Sequence, residues 1–343
     1  MAKRKGISNE SFDQWLEREH GKNILITANS MVQQRRKILP IALSLDIALS
    51  GGIPDGSICL LSGRPKVGKT SICLQILKNA IDRNRPAFYL DVERRCKSGL
   101  LQTIRELDLS QLNMVRENEK TFSAEEWLDI LERIIKSHEN AVIICDSIAM
   151  LSTIMERSEK LDSNKDMGGP PRLLAKFLRR MQQIIDKNNI ILIFISQLMT
   201  NRDPMSRTKW VEKGGQAIQY AVSVWINVTF ARQWEKNIET NAPDGHDIVC
   251  KIITSALGKP YIPCEIPLRY GHGVDKERDI IYHAENLGLI QKAGSWYSMP
   301  TILNDDQKFQ GLDNMRIFLQ QSPDITQKLE QEIKSSMQLN DES

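Results

Sequence analysis

The octapeptide Gly63-Arg64-Pro65-Lys66-Val67-Gly68-Lys69-Thr70 constrains the fold more than any other segment, because it spells G-x-x-x-x-G-K-T. The two glycines let the backbone curl so that successive N–H groups point inward as an anion nest. The helix that follows turns its positive end toward the same point. Lys69 is placed to reach the β- and γ-phosphates of a nucleotide, and Thr70 to hold Mg²⁺ through its hydroxyl. Ser71 completes the candidate nucleotide-contacting run of 63–71. The flanks agree with this pattern: 57–62 reads as a short buried strand. The segment 71–83 carries Ile72, Leu74, Ile76, Leu77 and Ala80 at helical spacing. Strand, loop and helix together predict an α/β fold built on a mainly parallel, twisted sheet.

At 343 residues the chain accommodates one large α/β domain with small additions. Its net charge is 46 − 43 = +3, so nucleic-acid binding has to come from local placement of charge. The six cysteines (59, 73, 96, 145, 250, 264) lack C-x-x-C spacing and sit mostly in apolar runs. They read as reduced, buried thiols of a cytoplasmic protein, not as disulfides or a zinc site. No apolar run approaches 18 residues and no signal-peptide pattern opens the sequence, so no membrane partner is expected.

Further motifs follow in order. Ala87-Phe88-Tyr89-Leu90-Asp91-Val92-Glu93 is a buried strand running into two carboxylates. Glu93 lies at its carboxyl end, where ligands of open α/β sheets bind and where a carboxylate can orient an attacking water. Ser123-Ala124-Glu125-Glu126 is a capping box that starts a helix with Trp127, Leu128, Leu131, Ile134 and Ile135 on its buried face. Ala141-Val142-Ile143-Ile144-Cys145-Asp146-Ser147 is a strand ending in an Asp suited to ordering Mg²⁺. The next buried strand, 190–196, ends in Gln197, which fits either a γ-phosphate sensor or a simple polar strand cap.

Taken together and in this order, these residues resemble the RecA-type recombinases of bacteria and large phages. The likeness extends over nearly the whole chain. Leu43-Ser44-Leu45-Asp46-Ile47-Ala48-Leu49 with Gly51-Gly52, then Asp91-Val92-Glu93, Asp146-Ser147, Phe194-Ile195-Ser196-Gln197, Gly214-Gly215 and Ala293-Gly294-Ser295-Trp296-Tyr297-Ser298 are each similar to a segment of that family. The resemblance implies a RecA-like P-loop ATPase core at 41–274. It adds an N-terminal polymerisation element and linker at 1–40 and a small α+β C-terminal domain with a short tail at 275–343. Phe12, Trp15 and Leu16 form an apolar helix face for either a neighbouring protomer or the chain's own core. The implied activity is DNA-dependent ATP hydrolysis with ATP and Mg²⁺, driving filament formation on single-stranded DNA, pairing with homologous duplex and strand exchange in recombination, repair and the SOS response. Glu93, Lys69 and Gln197 become the catalytic set. Asp146 and Thr70 become the Mg²⁺ ligands, and Tyr270 a base-side residue. Implied partners are DNA, further copies of the chain, and single-strand-binding and mediator proteins. The implied location is the cytoplasm, or a host's cytoplasm for a phage protein.

The same resemblance places two DNA-binding loops, at about 153–169 and 198–213. The implied contacts are Met167, Gly168, Arg202, Arg207, Lys209, Trp210, Lys213, Gly214 and Gly215. Trp210 suits either stacking on a base or packing of the folded loop. Arg172, Lys176, Arg179 and Arg180 fall on one helical stripe suited to a phosphate backbone, with Arg172 and Arg179 at family contact positions.

Departures matter as well. Family positions for lysines that reach a neighbour's γ-phosphate hold Gln219, Thr254 and Ala256 here, with Lys251 or Lys259 as substitutes. Slower or differently coupled hydrolysis is therefore expected. Lys97 and Leu100 stand where an Asp and a Tyr are usual near the base. Asp203-Pro204 and Ser206 replace more apolar loop residues, and the Asn340-Asp341-Glu342-Ser343 end is only faintly acidic. Two rival readings remain on these residues: a mediator that binds nucleotide and a partner recombinase without exchanging strands, and a ring-forming helicase-type motor.

Overall fold

The computed structural model describes residues 11–22, 24–33, 36–102, 104–158, 169–200, 210–212, 216–235, 240–303 and 307–339. The chain divides into two units, Met1–Lys37 and Ile38–Ser343. In the first, the helix Phe12–His20 is opened by a Ser11/Gln14 capping box and closed by Gly21 at φ 104°. Phe12 and Trp15 stay exposed on it, with ring centroids 6.0 Å apart.

The second unit is built on a large sheet. Its strands are β3 (Ile58–Gly63), β4 (Ala87–Asp91), β5 (Leu112–Val115), β6 (Val142–Asp146), β7 (Ile191–Thr200), β8 (Trp210–Glu212), β9 (Val224–Gln233), β10 (Gly245–Thr254), β11 (Pro263–Arg269) and β12 (Gly273–Val274). Before them, β1 (Ile38–Leu39) and β2 (Ile53–Pro54) form a small antiparallel ribbon. The sheet order is β12-β11-β10-β9-β3-β7-β6-β4-β5, with β8 pairing beside β7. Every pairing from β9 through β3, β7, β6 and β4 to β5 is parallel. The β9-β10-β11-β12 half is antiparallel.

Period-two alternation explains why helices cover both faces of the parallel half. Cys59, Leu61, Val142 and Ile144 face one apolar core, shared with the helix Lys69–Ile81. Ile58, Leu60, Ile143 and Cys145 face the other, under the helices Ala124–Ser137 and Gly169–Lys187. The capping box at Ser123 and Glu126 forms as the sequence predicts. The cysteines are free and, Cys264 apart, buried.

The strand order also positions the site. Register sets Gly63 opposite Gln197, Asp146 opposite Ile195, and Asp91 opposite Asp146. The carboxyl ends of β3, β7, β6 and β4 therefore finish at one level, where open α/β sheets bind ligands.

A third core gathers the C-terminal helices Lys276–Asn286, Leu312–Gln321 and Pro323–Ser336 over the sheet β13 (Gln291–Ala293), β14 (Trp296–Ser298) and β15 (Lys308–Gln310). Leu43, from the helix Leu43–Leu49, packs into this core. Next to it, the buried Asp279 carboxylate accepts the Ser44 N–H at 3.1 Å and the Ser44 hydroxyl. Burial pushes the Asp279 carboxyl up to about 6. A raised carboxyl contributes stability that is complete below its unfolded value and is lost as pH rises through the folded value. Asp279→Asn is therefore expected to gain melting temperature relative to the wild type between pH 4.5 and pH 7.5. The change is worth roughly 2–3 kcal/mol. A difference in melting temperature that does not vary with pH would contradict it.

Candidate nucleotide site and nucleic-acid face

The phosphate-binding loop leaves β3 at Gly63 and enters the helix at Lys69. Gly68 caps that helix at φ 96°, and Lys66 also takes a positive φ of 64°. A Cβ on Gly63 would lie 2.3 Å from the Val228 carbonyl oxygen on β9, and one on Gly68 would lie 2.4 Å from Leu268 Cδ1. The turn is thus open only to glycine at both places. Lys69 is buried, and its ammonium donates to the Gly63 carbonyl at 2.9 Å and the Arg64 carbonyl at 2.6 Å. Burial pushes Lys69 down from the usual lysine range, against the pull of Asp146 and Glu93.

Asp146 ends a fully buried β6. Its Oδ2 accepts the Thr70 hydroxyl at 3.2 Å and the Tyr89 hydroxyl at 2.5 Å. Burial raises the Asp146 carboxyl, and the Tyr89 bond holds it down. A threonine hydroxyl beside a carboxylate is the hard oxygen pair that suits Mg²⁺ carried on phosphates. Among the described residues no group of three or more His, Cys, Asp or Glu forms a dedicated metal cage.

Glu93 sits past β4, with its side chain 5% exposed. Ser147 donates to Glu93 Oε1 at 2.6 Å, Gln197 donates to the same oxygen, and Arg95 Nε stands 3.1 Å from Oε2. The two carboxylates at the end of β4 have different fates. Asp91 turns inward, accepting the Arg95 and Cys96 backbone N–H groups and the Arg116 guanidinium. Glu93 faces a cavity of about 430 Å³, whose lining includes Lys69, Thr70, Asp146, Gln197 and Tyr270.

Leu100 also lines this cavity, and so does His246. The His246 ring lies between Phe230 and Tyr270, with centroids 5.6 and 5.4 Å away. Neither of its buried nitrogens has a partner among the described residues, and burial lowers its pKa, which keeps it neutral. Tyr89, Arg95 and His246 were not picked out by the sequence, and Ser147 entered only as part of the Asp146-Ser147 pair. Tyr89 read only as a buried strand residue, and Arg95 drew no reading.

The sequence profile of the RecA N-terminal domain matches residues 9–275, and that of the RecA C-terminal domain matches 278–338. The chain belongs to the RecA family. A Protein RecA from Halalkalibacterium halodurans is 29% identical over 351 residues, spanning 100% of this chain and 95% of that protein. Protein RecA of Nitratiruptor sp. is 28% identical over 95% of this chain and 92% of its own length. That of Brevibacillus brevis is 30% identical over 88% and 82%. The RecA-like core with its small C-terminal domain, expected from the motifs, is the architecture observed.

For the RecA-family DNA loops, Met167, Gly168, Arg202, Arg207, Lys209, Lys213, Gly214 and Gly215 lie outside the described residues, as does the Trp210 side chain. The described edges differ from plain loops. The segment 154–158 is helical, with Ile154 and Met155 exposed. β7 continues past Gln197 to Thr200 and pairs with β8, Leu198 opposite Glu212 and Thr200 opposite Trp210. The second loop therefore springs from a β-ribbon whose base is Gln197. On the helix Gly169–Lys187, Arg172, Lys176, Arg179 and Arg180 are all exposed. Arg180 is drawn to Glu132 of the adjacent helix at 2.8 Å. The stripe's outward charge then rests on Arg172, Lys176 and Arg179. Among the described residues no helix is long and apolar enough to cross a membrane.

Proposed function

We propose that this RecA-family chain is a DNA-dependent ATPase that assembles as a filament on single-stranded DNA and exchanges strands with homologous duplex. The observation that carries this reading is the meeting of Lys69, Thr70, Asp146, Glu93 and Gln197 around one cavity at the carboxyl edge of the sheet. The loop N–H groups and Lys69 hold the β- and γ-phosphates. Thr70 and Asp146 would hold Mg²⁺, which would supply charge neutralisation at the phosphates. Glu93 orients a water in line with the γ-phosphorus. As the water oxygen bonds to phosphorus, the bond to the β-phosphate oxygen breaks, ADP leaves with the electron pair, and the water's proton passes to Glu93.

Gln197 links this chemistry to DNA. Its amide holds Glu93, and its backbone lies on the strand that continues into the ribbon with β8. A change at the γ-phosphate is thereby passed along one strand to the second loop. Arg172 and Arg179 take the phosphate backbone. Replacing either with alanine should weaken single-stranded DNA binding at every sequence. The slope of log K against log salt should fall by about 0.7 for each phosphate that is no longer neutralised. A binding titration across salt concentrations checks this, and an unchanged slope would remove these residues from the interface.

The purified chain alone, given ATP, Mg²⁺, a circular single strand and a homologous linear duplex, should yield joint molecules. Nucleotide binding without joint molecules would favour the mediator reading, to which Gln219, Thr254 and Ala256 lend support. Closed rings in electron micrographs would favour the helicase-type motor.

A further inference from the structure

The turn after β4 carries two consecutive arginines with different surroundings. Arg94, at φ 54°, donates from its guanidinium to the Glu117 carbonyl at 3.0 Å, away from the phosphate loop. Arg95 is set the other way. Its backbone N–H is pinned to Asp91 Oδ1 at 3.0 Å, and the next N–H, of Cys96, goes to the same carboxylate. Asp91 is itself 1% exposed and matched by Arg116 at 2.7 Å. The backbone beneath Arg95 is therefore fixed, while its side chain is 67% exposed, lines the nucleotide cavity and reaches Glu93 at 3.1 Å.

The charge balance in the cavity gives this placement a purpose. Glu93 and Asp146 bring two carboxylates to the wall, and a triphosphate adds several negative charges of its own. Lys69 answers from the loop, and Arg269 is already committed to Asp275 at 2.7 Å. Arg95 bears directly on this balance, since its positive charge also acts on the Lys69 ammonium. A guanidinium presents several donors in a planar fork, so it can bond a carboxylate and a phosphate oxygen together.

We infer that Arg95 is a further phosphate-contacting residue of this site: a cation supplied in cis that bonds Glu93 and the γ-phosphate of a bound nucleoside triphosphate at once. The inference rests on the ATPase reading above. It gives Arg95 two effects. It favours the triphosphate over the diphosphate, because only the former carries the group it touches. It also stabilises the charge that builds on the transferring phosphoryl group while tethering the carboxylate that orients water.

The test compares the wild type with Arg95→Ala and Arg95→Lys. It measures dissociation constants for fluorescent ATP and ADP analogues alongside steady-state DNA-stimulated hydrolysis. The exposed position of Arg95 leaves the fold intact in both variants, which equal melting temperatures verify. Arg95→Ala should weaken the ATP analogue by about tenfold and leave ADP unchanged. Its kcat should fall by about 10–100-fold. Arg95→Lys should restore part of the ATP preference, since it keeps the charge without the fork. A fall in kcat with the ATP-to-ADP ratio unchanged would overturn the inference, leaving Arg95 only a tether for Glu93. Unchanged kcat and ratio would overturn it as well. A wild type that binds neither nucleotide would overturn the ATPase reading itself, and Arg95's role with it.

Discussion

Glu93→Gln is expected to keep nucleotide and DNA binding while lowering DNA-stimulated ATP hydrolysis by about 10²–10⁴-fold. The substitution preserves shape and removes the group that accepts the water's proton. Its surroundings argue that the fold tolerates it. Ser147 and Gln197 both donate to Oε1, and an amide oxygen at that place still accepts. The Arg95 contact at Oε2 is the one that loses its charge partner, and Arg95 is mostly exposed, so solvent takes over. Because the ATP-bound state is no longer consumed, DNA complexes formed with ATP should last as long as those formed with a slowly hydrolysed analogue. Single-turnover hydrolysis and the lifetime of the DNA complex check the two halves. Hydrolysis within a few-fold of the wild type would place the water-orienting role elsewhere.

Gly63→Ala is expected to act on the fold and the site together. The added methyl would meet the Val228 carbonyl oxygen at 2.3 Å, a backbone atom of the neighbouring parallel strand. Relief requires β3 and β9 to part where the phosphate loop begins. Overpacking of this kind costs about 1–3 kcal/mol, with the upper end expected because the obstructing atom cannot rotate away. The carbonyl of residue 63 is also one of the two that hold the Lys69 ammonium. Nucleotide affinity should therefore drop by at least about tenfold even where the protein remains folded. Melting temperature and nucleotide titration measure both. A variant that melts and binds as the wild type does would contradict the close approach of the two strands.

The site was legible in the sequence where chemistry stands at the end of an apolar run. Lys69, Thr70, Asp146 and Gln197 each follow or close a strand that a continuous apolar run marks plainly, and the strand ends align in register. What stayed hidden depends on which strands become neighbours. Tyr89 reads as core until β4 is seen beside β6, where Tyr89 pairs with Ile144 and its hydroxyl reaches Asp146. Asp91 and Glu93 stand together at the end of one strand in the sequence, which singles out Glu93 but gives Asp91 no role; the turn that folds Arg95 and Cys96 back onto Asp91 makes it a structural anchor. The two arginines after them, Arg94 and Arg95, drew no reading in the sequence. The β7–β8 ribbon was hidden by the polar composition of the segment it opens. Arg180 belonged to the basic stripe by spacing, yet a glutamate on a helix distant in sequence claims it. His246 carried no signal, because its meaning comes from Phe230 and Tyr270 on other strands and turns.

The most direct test of a nucleotide-gated DNA-binding ATPase is fluorescence anisotropy of labelled single-stranded DNA, titrated with the chain in ADP, in ATP and in a slowly hydrolysed ATP analogue over a salt series. Tight, cooperative binding with the triphosphates and weak binding with ADP is the predicted result. Binding that is indifferent to the nucleotide, or absent in all three, would contradict the coupling of Glu93, Gln197 and the β7–β8 ribbon.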